Sequence, residues 1–67
     1  MKDNQFVIVL PGTEPKWFAG YDGGRPNTTA VFDQAKRLSL SEARRIRGLL
    51  AAADRGNWIV CNADMMR

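Results

Sequence analysis

The chain has 67 residues and a net charge of +3, from ten Lys/Arg against seven Asp/Glu, with one cysteine and no histidine. That length holds one domain, residues 1–67, and a domain so small buries only about 60% of the surface its unfolded chain exposes. A lone thiol without histidine excludes an intrachain disulfide framework and a four-ligand zinc site, so dimerisation or partner docking is the expected extra source of stability.

The chain opens on a polar lead-in, Lys2 to Gln5. Phe6-Val7-Ile8-Val9-Leu10 is a run of five apolar residues. It reads as a strand buried on both faces, and hence as central in its sheet. Pro11 to Pro15 is a turn by composition. Lys16 to Tyr21 reads as a second strand, hairpinned to the first. Strict alternation puts Trp17, Ala19 and Tyr21 on one face and Phe18 and Gly20 on the other. Asp22-Gly23-Gly24-Arg25-Pro26-Asn27 is then expected to be a loop.

From Thr28 to Leu38, apolar residues recur at Phe32, Ala35 and Leu38. The spacing predicts one or two helical turns, with Thr28 or Thr29 as a cap. Ser39-Leu40-Ser41-Glu42 matches a capping box, Ser39 at the N-cap and Glu42 at N3. The helix it starts is expected over about 40–55, ended by Gly56-Asn57. Ala43, Ile46, Leu49, Leu50 and Ala53 form its apolar stripe. Trp58 to Cys61 reads as a third strand, and Asn62 to Arg67 as a tail. The expected fold is α+β: a three-stranded antiparallel sheet in the order 2-1-3, one long helix on one face, and a short helical segment.

One helix covers one face of such a sheet. The first strand is apolar on both, and the other two strands add apolar residues to each. Two coverings of the second face are open at this point: the segment around Phe32, or a second molecule meeting an exposed apolar patch.

Catalytic chemistry finds little footing. Without histidine the usual general base is missing, and Cys61 has no Cys-His partner. A cysteine in a strand is ordinarily a small buried hydrophobe. Asp22 and Asp33 read as solvated loop acids. Nucleotide-binding fingerprints are absent. Gly23-Gly24-Arg25 suits either an anion nest or a turn that needs positive φ. No enzyme activity, cofactor or metal is expected.

Seven of the ten cationic side chains are arginine. With Ala43 at zero and about 100 degrees per residue, the expected stripe centres near 295 degrees and the outward face near 115. Arg44, Gly48, Ala51 and Arg55 fall on that outward face, with Arg45 and Arg47 on the flanks of the stripe. Gly48 would let a partner's backbone or a phosphate come close. The plain alternative is a solvated face whose arginines confer solubility. Trp17 and Tyr21 on one sheet face would suit base stacking, or would serve as core. The candidate partner-binding set is Arg44, Gly48, Arg55, Arg47, Arg25, Trp17 and Tyr21.

The Phe6–Leu10 run is too short for a secretory core and the chain has no run near ~18 apolar residues, so the cytoplasm is the expected compartment and no membrane is expected. The lone cysteine agrees with a reducing compartment.

Phe18-Ala19-Gly20-Tyr21-Asp22-Gly23-Gly24-Arg25-Pro26, then Ala35-Lys36-Arg37-Leu38, then Ser41-Glu42-Ala43 at a helix start, resembles many short proteins of phages and mobile elements. The likeness spans about residues 6–50 and carries no defined functional residues. Those with a known role often inhibit host defence, as anti-CRISPR proteins do. The resemblance implies a non-catalytic inhibitor docked on a bacterial protein complex, such as a CRISPR–Cas effector, in the host cytoplasm. A basic chain argues against DNA mimicry. The alternative is a small nucleic-acid-binding domain using Arg44, Arg45, Arg47 and Arg55 with Trp17 or Tyr21. A homodimer is compatible with both.

Overall fold

The computed structural model describes residues 5–54 and 56–66. Its elements are β1 (Phe6–Leu10), β2 (Lys16–Asp22), β3 (Arg25–Thr29), a 3-10 turn (Phe32–Gln34), α1 (Leu40–Asp54), β4 (Ile59–Asn62) and a second 3-10 turn (Ala63–Met66). The sheet is antiparallel throughout, in the order β3-β2-β1-β4. No helix among the described residues is long and apolar enough to cross a membrane.

The fold class is α+β, as expected, but the sheet has four strands. The segment expected to be a loop is the β2–β3 hairpin. Gly23 and Gly24 form its two-residue connection with φ of +60° and +82°, between the paired residues Asp22 and Arg25. Positive φ at both central positions suits a type I′ turn, whose twist matches that of the strands it joins. The neighbour relations 2-1-3 survive with β3 added outside β2, and the expected third strand becomes β4. That strand starts at Ile59, one residue later than expected, while Trp58 is buried beside it.

A register shift between Phe18 and Gly20 breaks the alternation along β2. One extra residue in a strand turns everything after it to the other face. Phe18 pairs with Thr28 and Tyr21 with Pro26, two residues away, so Tyr21 shares Phe18's face. The two rings meet edge to face, centroids 5.3 Å apart. Trp17 lies on the opposite face, against Phe32 at 4.9 Å. The expected Trp17/Tyr21 pair on one face is therefore not formed.

β1 and β2 pair only at Val9/Trp17 and Leu10/Lys16. Beyond that point the chain after the first 3-10 turn is wedged between them. The Lys36 amide donates to the Phe18 carbonyl at 2.8 Å, and Phe6 and Leu38 exchange both backbone bonds at 2.9 and 2.8 Å. The wedge supplies partners that β1 and β2 lack once they diverge.

Two cores result. Ile8, Phe18, Leu38, Ala43, Ile46, Leu50 and Trp58 pack under α1. Val7, Val9, Trp17, Ala35 and Ala63 pack on the other face, with Phe32 and Cys61 against them. The second face is thus covered by the chain's own 3-10 segments, the first of the two coverings the sequence left open. Thr29 belongs to β3; it does not cap a helix, although its Oγ1 accepts from the Val31 amide at 3.1 Å.

α1 begins at the expected cap: the Glu42 amide donates to Ser39 Oγ at 3.3 Å. The reciprocal arm differs, since Ser39 Oγ donates to Glu42 Oε1. The helix's rotation also differs from expectation. Ala43, Ile46 and Leu50 are buried and Ala51 packs against them, whereas Leu49 is 51% exposed and Ala53 is exposed. The buried stripe is turned by about 50 degrees from the one read off the sequence.

Candidate functional site

The turned stripe redraws the outward surface of α1. Ser41, Arg45, Gly48 and Ala52 now face away from the sheet, with Arg44 on one flank and Leu49 on the other, and all six are exposed. Ala51, placed outward by the sequence pattern, is instead half-buried in the core under the helix. Between Glu42 and Asp54 the helix carries no acid, and Glu42 is engaged at the cap. The result is a cationic ridge with one large apolar side chain in it.

Arg47 is not part of that ridge. Its Nε donates to the Trp58 carbonyl at 2.9 Å, tying α1 to the segment that leads into β4. The side chain thereby holds an acceptor that no strand partner reaches. Arg55 lies outside the described residues. Gly48 presents open surface: a methyl group there would meet nothing within 4 Å.

The remaining candidates are dispersed. Arg25 closes the hairpin turn opposite Asp22, so its charge has an acid as cross-strand neighbour. The positive φ of Gly23 and Gly24 is explained by that turn. Trp17 is buried in the second core, while Tyr21 is 46% exposed on the other face. Trp17, Tyr21 and the outward arginines therefore do not converge on one surface; Arg44, Arg45 and Gly48 do.

Leu49 and Arg37 were missed as notable residues by sequence reasoning. Leu49 fits the three-and-four spacing as well as Leu50 does, so spacing alone places it in the core. Arg37 stands 4.8 Å over the Phe32 ring, and covers the outer side of the second core. Its signal was only its place one residue before Leu38.

No family model matches the chain, and comparison with curated proteins and with solved structures returns no match.

Proposed function

We propose that this chain is a non-catalytic binding protein that docks the outward face of α1 on an acidic surface of a protein partner. The observation that carries this reading is Leu49, 51% exposed on a helix face whose other long side chains are arginines. An apolar anchor ringed by cations fits an apolar pocket ringed by acids, the helix-in-groove mode of recognition. Gly48 and Ala52 keep the ridge low beside that anchor. The resemblance to small phage proteins supports a bacterial complex as the partner, and inhibition of a defence effector of the CRISPR–Cas kind as the outcome.

A nucleic-acid partner would draw on the same arginines. Burial of Trp17 leaves it only Tyr21, 46% exposed, of the two aromatic candidates for base stacking. Leu49 has no role in phosphate contact, which makes it the discriminating residue.

The test is affinity capture from bacterial lysate with the wild-type chain, Leu49→Asp and Lys16→Glu. A protein retained by wild type and Lys16→Glu but lost with Leu49→Asp supports the reading. Gel shifts at two salt concentrations run beside it. A steeply salt-dependent shift that Leu49→Ala, which adds no charge to the arginine face, leaves intact replaces it with the nucleic-acid reading. An effector-interference assay in cells then reads inhibition directly.

A further inference from the structure

We propose that the face of β2 and β3 beside α1 seats an acidic amphipathic helix of the partner, laid alongside α1 over Tyr21 and against Leu49. This rests on the docking reading and deepens it: it names the partner element that meets Leu49 and adds the hairpin to the docking surface.

A helix is about 10 Å across and strands stand about 4.8 Å apart, so one helix covers about two strands. The sheet has four, and α1 packs on β1 and β4. The other two strands keep exposed side chains on the α1 side. Lys16 shares the face of its partner Leu10, and Thr28 that of Phe18, both on the core under α1. Lys16 and Thr28 are exposed, as are Tyr21 and Pro26 on the same face.

The rotation of α1 aims Leu49 at this step. Arg47 Nε reaches the Trp58 carbonyl at the head of β4, so the flank of Arg47 is the β4 side. Leu49, two residues on, lies about 160 degrees from Arg47 around the helix and so overhangs β2. The bridge between Phe6 and Leu38 sets the start of α1 at the Phe6 end of β1, and the Val9/Ile59 pair brings the chain back at the other end. Leu49 is about 13 Å along the helix from Leu40. β2 runs the opposite way to β1, from Lys16 beside Leu10. Lys16 and Leu49 therefore share one end of the step, and Tyr21 stands at the other. Leu49 is 51% exposed and Tyr21 46%. Two apolar anchors about two turns apart suit the i, i+7 stripe of a helix lying alongside α1.

Charge selects the occupant. Arg45 rims the step on α1 and Lys16 closes one end, both exposed. Glu42, the acid of α1 on that flank, is engaged by Ser39. Asp22 and Arg25 follow and precede Tyr21 and Pro26 in their strands and so turn to the other face. Acids beside the apolar stripe of a partner helix would meet Arg45 and Lys16. A second copy is disfavoured, because it would bring its own α1 arginines against them. A partner strand added at the β3 edge would meet Pro26, which has no N–H to donate. A helix needs no such donor.

The test is an NMR titration of the isotope-labelled chain with a synthetic peptide of about five helical turns, leucines on one face and glutamates elsewhere. The amide signals of Tyr21, Thr28 and Leu49 should move together and saturate. A peptide of the same composition, shuffled so that its leucines share no face, should move none of them. Tyr21→Ala and Leu49→Ala should each weaken binding about tenfold, and Arg45→Glu should weaken it unless lysines replace the peptide's flanking glutamates. Ile59→Ala removes an exposed apolar side chain on the opposite face and should change nothing. Shifts confined to Ser41, Gly48 and Ala52 overturn the proposal and leave the docking reading standing. So does the absence of any shift, since capture of a partner that depends on Leu49 decides the docking reading separately. Equal shifts with the shuffled peptide reduce the contact to charge alone and overturn it too. Shifts of these amides with protein concentration, without peptide, identify a second copy as the occupant and overturn it.

Discussion

Arg44, Arg45 and Arg47 stand within four positions of each other, yet the fold gives them different work. Arg47 Nε is committed to the Trp58 carbonyl, while Arg44 and Arg45 are exposed on or beside the outward face. A charged donor on a part-buried acceptor is worth more than an exposed charge. Arg47→Ala should lower stability by about 1–2 kcal/mol, and Arg44→Ala by less than about 0.5. Urea unfolding measures both, and equal losses would remove the distinction. Gly23 is a second residue where one atom decides. Its φ of +60° strains an L-residue by about 1–2 kcal/mol, partly offset by a stiffer unfolded chain, so Gly23→Ala should cost about 1 kcal/mol in the same assay. The pairing of two glycines was visible in the sequence. The face of Tyr21 was not, because a bulge between Phe18 and Gly20 reverses the alternation, and nothing in Trp-Phe-Ala-Gly-Tyr marks where the extra residue falls.

α1 was legible at its start because a capping box is local: Ser39 and Glu42 satisfy each other wherever the helix goes. Its rotation was not local. Leu49 and Leu50 both fit helical spacing, and only the position of β1 and β4 beneath the helix decides that Leu50 is buried. β3 was illegible for the opposite reason. Arg-Pro-Asn-Thr-Thr is almost wholly exposed, so burial imposes no alternation on it, and the Gly-Gly connection was its whole signal. The same helix offers a test of the docking face. A methyl at Gly48 meets nothing within 4 Å, so Gly48→Ala should raise thermal stability by up to about 1 kcal/mol. If the partner's backbone packs against Gly48, the same variant should bind more weakly. Stability and binding moving in opposite directions is the outcome that marks this glycine as functional, and a gain in stability with binding intact would assign it to the solvated face.

At the scale of the whole molecule, the sequence required two covered faces: a five-residue apolar β1 cannot face water on either side. It did not say what covers the second, because Phe32, Ala35 and Ala63 come from irregular segments with no periodicity of their own. In the structure Phe32 lies against Trp17 and under Arg37, so one side chain closes a core of four small or medium residues and one tryptophan. A chain of this size has a stability of only about 3–10 kcal/mol. Phe32→Ala removes a half-buried ring, its edge contact with Trp17 and the seat of Arg37. The expected loss is about 2–3 kcal/mol, near the low end for such a truncation because Phe32 is not fully buried. Leu49→Ala, removing an exposed side chain, should lose less than about 0.5 kcal/mol. The decisive readout is the dependence on protein concentration. If the chain's own segment covers the second face, the loss caused by Phe32→Ala is the same at every concentration. If instead a second molecule shared that face, raising the concentration would recover the lost stability, because mass action would replace the missing ring.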